Sequence, residues 1–534
     1  MEFTIKNYRC FPDSRPARLT VRPGFTAFVG TNNAGKSSLL RFFYEFRGLF
    51  QLLASPQNLL QYIRGGGGSA GSFNPASSMR DLADLFCDGN GRDLTIEIEF
   101  VVRGTPGPGK AAIVISVPRP SNRFSLAFFI DGRQPIPSQA IFLSGDNLIE
   151  FPAGTIPNIG RAITLEFDPF IKACDAIQRS LYIGPFRNAI NVGTRQDYFD
   201  IQVGQSFVQS WRAYKTGPAR SQNEAAWRLS EDIARVFEFE RLEINPSPDD
   251  QTLQVFVNGK SYVLNEIGSG LAQFVIVLAN AAIKKPTYIL IDEPELNLHP
   301  SLQIDFLTTL ASYAERGVLF STHSMGLARA GAERVYAVRR LTQSESEVAP
   351  LESLPRLSDF VGELGFSGYK ELGFDRILLV EGPTEVRTMQ QFLRFLKKEH
   401  RIVIVPLGGS SLINGERELE LQELTRISPK ISAIIDSERL AAGAALSADR
   451  RAFQEVCRKI GIACHVLDRR ATENYLSDNA VKRAKDARYR ALTEFEKLGE
   501  VAPSWSKSEN WRIAREMDLG DLRGTDLLRH LESL

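Results

Sequence analysis

Long apolar runs are missing from this sequence. The stretches richest in apolar residues, Phe274–Ile283 and Tyr288–Ile291, fall well short of the ~20 residues that a membrane-spanning helix needs. The N-terminus shows no charged, then apolar, then small-residue export pattern. The expectation is a soluble, cytoplasmic chain with no membrane partner. Cysteine is scarce: Cys10, Cys87, Cys174, Cys457 and Cys464 are five in 534 residues. They are scattered, and only the last two lie close, at a spacing that matches no zinc motif. A disulfide scaffold is excluded, and the thiols read as reduced and structural. An excess of charge of one sign is also absent, since 64 basic against 63 acidic side chains leave +1. A nucleic-acid partner must therefore be held by a local patch. The densest basic stretch is Val481–Arg490, where Lys482, Arg483, Lys485, Arg488 and Arg490 face a single acid, Asp486. A solvated helix face is the competing reading of that run. There is no internal repeat and no heptad run long enough for a coiled coil. What remains is globular composition, 43% hydrophobic and 24% charged, at a length that suits roughly three to four domains.

Strand patterns open the chain at Phe3–Ile5, Leu19–Val21 and Phe25–Val29, and a helix follows from Lys36. Between Gln61 and Pro75 a glycine- and serine-rich stretch reads as a flexible surface loop. From Leu94 to Phe167 period-two segments alternate with Gly/Pro turns, which predicts an antiparallel sheet. The stretch about 205–240 is polar and helical, either a dimer contact or a core helix. Strands return at Leu253–Val257, Tyr288–Ile291, Gly317–Phe320 and Arg334–Val338. After the polar segment Thr342–Ser358 a second unit alternates strands (Arg376–Val380, Ile402–Val405, Ile431–Ile435) with helices from Thr384 and about Glu416–Arg426. That alternation predicts a parallel sheet.

Gly30-Thr-Asn-Asn-Ala-Gly35-Lys36-Ser37 fits G-x-x-x-x-G-K-[ST] at every fixed position, between an apolar strand and a helix. Glycines at 30 and 35 let backbone N–H groups of the loop, with Asn32, Asn33 and Ser38 in it, wrap phosphate oxygens. Lys36 would bridge the β- and γ-phosphates of ATP and Ser37 would ligate Mg²⁺. Tyr288-Ile-Leu-Ile-Asp292-Glu293-Pro294-Glu295 is an apolar strand ending in acids. There Asp292 can hold Mg²⁺ through water and Glu293 can polarise the attacking water. Ser321-Thr322-His323-Ser324 sets an imidazole at another strand end, able to contact a γ-phosphate. A strand-end acid pair or a lone histidine would each be structural more often than not; the chain order of all three motifs favours function.

These residues resemble the ATP-binding-cassette ATPases of the chromosome-maintenance and DNA-repair type. That family has a serine-glycine signature before the acidic strand, and Ile267-Gly-Ser269-Gly270-Leu-Ala-Gln273 stands there. The resemblance implies that Ser269 and Gly270 of one protomer close over ATP held by Gly30–Ser37 of another, so that ATP drives dimerisation. Leu271 replaces the usual second glycine, and Ser269 also suits a helix N-cap. The family's Mg²⁺-sensing glutamine has no assignable counterpart. The lack of a long coiled coil between Arg41 and Asn265 argues against a filament-bridging machine.

A second set of acids follows. Arg376-Ile-Leu-Leu-Val380-Glu381 places a carboxylate at the end of a buried strand, where parallel sheets bind ligands. Ile431–Ile435 runs likewise into Asp436-Ser437-Glu438. In an extended segment side chains at i and i+2 point the same way, so Asp436 and Glu438 are expected to converge on one cation. Glu473 opens an apparent helix beyond Leu467-Asp468. Glu385 is either a ligand to a second metal or first-turn helix charge. Hard oxygen ligands suit Mg²⁺ or Mn²⁺.

This half is similar to the Toprim fold of topoisomerases, primases and the overcoming-lysogenisation-defect (OLD) nucleases, with Asp436-x-Glu438 where the family has D-x-D. An ATPase followed by a C-terminal Toprim resembles the OLD family, which includes Gabija and retron-associated phage-defence nucleases. The fold class expected is α/β: an ABC-type ATPase over 1–365 with an antiparallel lobe and a helical insertion, then a Toprim domain over 370–534. The resemblance implies an ATP-regulated endonuclease with Glu381, Asp436, Glu438 and Glu473 holding metal and an antiphage role. It also implies a lysine to stabilise phosphorane charge. Lys482 and Lys485 rank above Lys507 because basic residues surround them. Implied partners are DNA first, a second copy of the chain, and an accessory defence protein or regulatory RNA. The alternatives are an RNA or tRNA nuclease and a non-catalytic ATP-driven clamp.

Overall fold

The computed structural model of the chain describes every residue except 67, 77–78, 80, 106–108, 137–138, 144–146, 186–196, 352–375, 400, 408–417, 419–420, 423–424 and 426–429. It divides into two compact units, Met1–His323 with Tyr336–Pro350, and Ser324–Val335 with Leu351–Leu534. Ser324–Val335, inside the stretch read as ATPase, thus belongs to the second unit. The boundary expected near 365–370 lies outside the described residues. No helix among the described residues is long and apolar enough to cross a membrane. All five cysteines are free.

The first unit is built on a six-stranded sheet in the order Leu181–Ile183, Tyr288–Asp292, Gly317–Thr322, Gly24–Val29, Arg334–Arg340, Ser346–Pro350. Its first four strands are parallel. The three central ones are buried at every position, which is why they read as unbroken apolar runs rather than alternations. Register aligns Asp292 with Ser321 and Thr322 with Val29. The loops carrying the phosphate-loop glycines, the acids and the histidine therefore leave the sheet side by side. Strand spacing is tight at the other end, where a Cβ on Gly317 would stand 2.0 Å from the Gly24 carbonyl oxygen.

A nine-stranded sheet forms the second layer of this unit, with Leu94–Thr105, Gly109–Val117 and Arg123–Ile130 as its antiparallel centre. Alternate residues are buried, the pattern of a sheet with one face on a core. The core behind it is aromatic: Phe3, Phe42, Phe43 and Phe50 pack edge to face or stacked. The glycine-rich stretch is not all loop. Ser69–Ser72 is an edge strand paired antiparallel with Arg123–Ser125 across a register shift, a role that backbone hydrogen bonds fill without large side chains. The 205–240 region is two helices, Gly204–Thr216 and Arg220–Val236. Trp211 is buried between them and the strand Leu242–Pro246, its Nε1 donating to the Ile244 carbonyl at 3.2 Å.

The second unit carries a four-stranded parallel sheet in the order Ile402–Pro406, Arg376–Val380, Ile431–Ile435, Ala463–Val466. Helices Pro383–Phe395 and Ala448–Ile460 flank it. The helix expected about 416–426 lies largely outside the described residues. Fully buried Arg387 donates to the Gly331 carbonyl at 3.0 Å and pairs with Glu333. Leu378, Phe392, Trp505, Ile513 and Leu531 share the core of this unit.

Candidate functional sites

At the strand ends of the first unit the phosphate loop closes on itself. Gly30 is required because a Cβ there would lie 2.1 Å from the Val338 carbonyl oxygen. Gly35 takes φ 102° and caps the helix Lys36–Glu45, a left-handed backbone that glycine adopts without strain. The Lys36 ammonium donates to the Gly30 and Thr31 carbonyls at 2.9 Å each and stands 3.3 Å from His323 Nε2. Burial draws its pKa down, and the carboxylates of Glu293, Asp292 and Glu295 oppose that.

Asp292 is almost fully buried and accepts a hydrogen bond from the Ser321 hydroxyl. Burial raises its pKa, while the hydroxyls of Ser321 and Ser37 act against the rise. Its Oδ2 has no partner among the described residues. A buried, unpaired carboxylate oxygen beside Ser37 is a donor set that fits a hard divalent cation. Glu293 adopts φ 50° and its Oε1 lies 2.7 Å from His323 Nε2. Sequence reasoning missed Glu295. Its Oε1 accepts from Thr322 Oγ1 at 2.7 Å and from the His323 backbone N–H at 2.9 Å, so it fixes the histidine loop. Its position three residues after Asp292 was the available signal. A cavity of about 480 Å³ adjoins Asn32, Asn33, Lys36, Ser37, Ser38 and Glu293. Arg9 and Cys10, from a turn distant in sequence, also line it. Ser269 opens the helix Ser269–Lys284 with Gly268, not Ser269, at the N-cap. Gly270 packs so closely that a Cβ would meet the Asn297 carbonyl at 2.8 Å.

In the second unit Glu381, Asp436, Glu473 and Lys507 come together. The Asp436 backbone N–H donates to Glu381 Oε1 at 2.8 Å. Asp436 Oδ1 accepts from Thr472 N at 2.9 Å and Thr472 Oγ1 at 3.1 Å. Lys507 Nζ lies 3.1 Å from Glu473 Oε1 and 3.9 Å from Asp436 Oδ2. Burial, reinforced by Glu381, Glu385 and Glu473, holds the Asp436 carboxyl well above the usual carboxylate range. Burial likewise raises Glu381, against the pull of Arg450. Burial works to lower Lys507, yet Glu473, Asp436 and Glu385 outweigh it and hold the ammonium above its ordinary range. Glu385 is buried in the first turn of its helix, where Thr384 Oγ1 donates to it at 2.9 Å.

Two expectations are corrected here. Glu438 does not converge with Asp436: the strand ends at Ile435, Glu438 turns left-handed at φ 53°, and its carboxylate pairs with Arg470. Lys482 does not reach the acids either, because it sits one turn along a surface helix from Asp478, 2.6 Å away. Lys485 pairs with Glu509. Arg450, which sequence reasoning missed, is buried between the acids, with Nε donating to the Asp436 carbonyl at 2.8 Å and Nη2 standing 3.3 Å from Glu381 Oε1. Nothing in its own segment marked it. Among the described residues no three acidic, histidine or cysteine side chains stand in a metal-holding group. Lys507 and Arg450 offset only part of the charge of the cluster. Glu473 Oε2 is buried with no partner among the described residues, and the donor set is all hard oxygen.

Three solved structures are similar to this chain: an SMC head bound to the C-winged helix domain of ScpA, with 12% identity over 66% of this chain and 97% of that one at TM-score 0.39; the SMC head domain from Thermotoga maritima, with 14% over 66% and 98% at 0.32; and an Smc head with an extended coiled coil bound to the C-terminal domain of ScpA from Pyrococcus furiosus, with 12% over 66% and 95% at 0.33. No curated protein matches the chain. The family model described as "AAA domain, putative AbiEii toxin, Type IV TA system" matches residues 25–329, a stretch that holds the phosphate loop, the acidic strand and the histidine strand. The chain belongs to that family and carries its P-loop ATPase domain.

Proposed function

We propose that this protein is an ATP-regulated, divalent-metal-dependent nuclease of the OLD type, whose second unit is a Toprim domain that hydrolyses phosphodiester bonds, DNA first among its substrates. The observation that supports the reading is the meeting of buried Asp436 and Glu473 with part-buried Glu381 and the more exposed Lys507 where strands of a parallel sheet end. Burying several carboxylates beside one another is costly unless cations compensate, and a site that concentrates them is a functional candidate. Mg²⁺ or Mn²⁺, held by Glu381, Asp436 and Glu473 with Glu385 nearby, would supply Lewis-acid activation of water and of the leaving oxygen. Lys507 would stabilise charge on the phosphorane, in the role first given to Lys482. Arg450 and Thr472 orient Glu381 and Asp436. In the first unit Lys36 and Ser37 would hold the phosphates and Mg²⁺, Glu293 would polarise the attacking water, and Glu295 fixes the loop of His323, which would contact the γ-phosphate.

Dimerisation through Ser269 and Gly270 over a partner's ATP, and a role in antiphage defence, belong to the same proposal. The family's description as an AbiEii toxin of a Type IV TA system is in keeping with a cell-damaging activity of this kind. The test is cleavage of end-labelled DNA and RNA in Mg²⁺ or Mn²⁺ by wild type and by Asp436→Asn. The expected result is cleavage by wild type, of DNA above RNA, lost by at least ~100-fold in the variant. Equal cleavage by both proteins would refute it.

A further inference from the structure

Beside the acid cluster, the second unit has a cavity of about 480 Å³ lined by four arginines, Arg439, Arg469, Arg523 and Arg529. Three carboxylates share it, Asp468, Glu494 and Asp526, but they do not neutralise the four guanidinium groups. Asp526 is engaged inward, accepting from Tyr475 Oη at 2.6 Å and from the Asp468 backbone N–H at 2.9 Å, with His465 Nε2 also 2.9 Å away. Glu494 stands 3.9 Å from Arg469 Nε, a loose pair at an exposed carboxylate. Arg439 Nε is buried with no partner among the described residues. Arg529 gives one Nη1 hydrogen bond, at 3.2 Å, to the Gly524 carbonyl, which leaves other donors of its fork for a ligand. Arg469 is held in place by its hydrogen bond to the Asn474 carbonyl at 2.8 Å and by the Tyr475 ring, 4.9 Å from its guanidinium.

The cavity and the acid cluster share two loops. Arg439 lies three residues beyond Asp436. Arg469 lies three before Thr472, which holds Asp436 Oδ1, and its carbonyl accepts the Ser437 hydroxyl at 2.7 Å. Three residues of chain span at most about 10 Å, and the phosphates of one strand rise about 3.4 Å per nucleotide. A carboxylate cluster repels the polyanion it would cut, so the positive charge that holds the strand must come from next to it. Guanidinium forks match phosphate oxygens in pairs.

We propose that Arg439, Arg469, Arg523 and Arg529 form a subsite for backbone phosphate of a nucleic-acid strand, one to three nucleotides from the bond that the acid cluster hydrolyses. The assignment rests on the nuclease reading above. A small phosphorylated molecule presents the same chemistry, and the test separates the two sources.

The test uses the full chain carrying Asp436→Asn, so that the probe is bound and not consumed. Anisotropy of a fluorescein-labelled single-stranded 20-nucleotide DNA or RNA is followed across ~50–200 mM salt, with and without Arg523→Gln and Arg529→Gln together. Both arginines are exposed, and an unchanged thermal melting profile reports that the second unit is folded. The double substitution is expected to weaken binding by about tenfold or more and to flatten the log–log salt slope by about 1.4, two phosphate contacts at 0.7 each. In the cleaving chain it should raise KM and leave kcat. Unchanged affinity and slope would overturn the subsite, and would leave the nuclease intact if wild type still cuts. Arginine-dependent binding without cleavage in any metal would uphold the subsite and sink the nuclease. No binding by the parent chain would overturn both. Arginine-dependent binding of inorganic pyrophosphate, without such an effect on the oligonucleotide, would overturn the subsite in favour of a small anion.

Discussion

Lys36 and Lys507 stand in opposite electrostatic settings. Lys36 is buried, with its ammonium on two carbonyls of its own loop and its pKa drawn down; ATP phosphates offer it the charge partner that the loop lacks. Lys36→Ala should therefore reduce phosphate release from ATP by at least ~100-fold. Lys507 already has its partners, Glu473 and Asp436. Lys507→Met leaves those buried carboxylates uncompensated, so the variant should melt below wild type in EDTA and regain most of the difference in Mg²⁺. An equal deficit with and without the cation would argue that Lys507 only packs. Glu295→Gln should lower kcat for ATP more than it raises KM, since Glu295 holds the His323 loop rather than the phosphates. Sequence pointed to Lys482 because positive charge is dense around it, but charge density along a chain says nothing of where partners lie. Most of those cations pair locally, Lys482 with Asp478 at 2.6 Å, Arg488 with Asp486 at 2.8 Å and Arg490 with Glu496 at 2.6 Å, which is the solvated-face reading, while Lys485 reaches Glu509. Lys507, Arg450 and Arg9 reach their sites from remote segments, and no local pattern encodes that meeting.

At the level of elements, buried strands and motif-bearing turns were legible and their surroundings less so. Arg376–Val380 and Ile431–Ile435 fall where apolar runs placed them, because a strand buried on both faces leaves no polar alternation to misread. The phosphate-loop helix starts at Lys36 as its motif requires. The convergence of Asp436 with Glu438 assumed that the strand went on, and the left-handed turn at Glu438 defeated it. The edge strand Ser69–Ser72 was hidden because glycine and serine advertise loops, while pairing needs only backbone. Two predictions belong here. Gly317→Ala forces a Cβ to 2.0 Å from the Gly24 carbonyl and should cost at least about 2 kcal/mol, read by thermal unfolding. His530 stacks on His465 with centroids 4.5 Å apart. Burial first, then the charges of His465 and Arg376, lower its pKa from 6.5 to about 4. Its folded value lies below its unfolded one, so the unfolded chain binds the proton first. The stability that it contributes is complete above pH 6.5 and is lost as pH falls towards 4. His530→Phe should flatten the pH dependence of melting in that window; an unchanged slope would contradict the assignment.

On the scale of the molecule, one chain joins a P-loop ATPase domain to a parallel-sheet unit with a buried acid cluster. The two sites have separable signatures. Glu293→Gln should retain ATP and slow its hydrolysis, and so hold the proposed nuclease in whichever state ATP imposes; Asp436→Asn should leave hydrolysis of ATP intact. The most direct measurement of the central claim is a cleavage time course on labelled DNA and RNA, with Mg²⁺ or Mn²⁺ and with ATP present or absent, comparing wild type, Lys36→Ala and Asp436→Asn. The account predicts metal-dependent cutting by wild type at a rate that changes with ATP, cutting by Lys36→Ala that no longer responds to ATP, and no cutting by Asp436→Asn. Phosphodiester hydrolysis that persists in Asp436→Asn, or none by wild type under any combination, would contradict it.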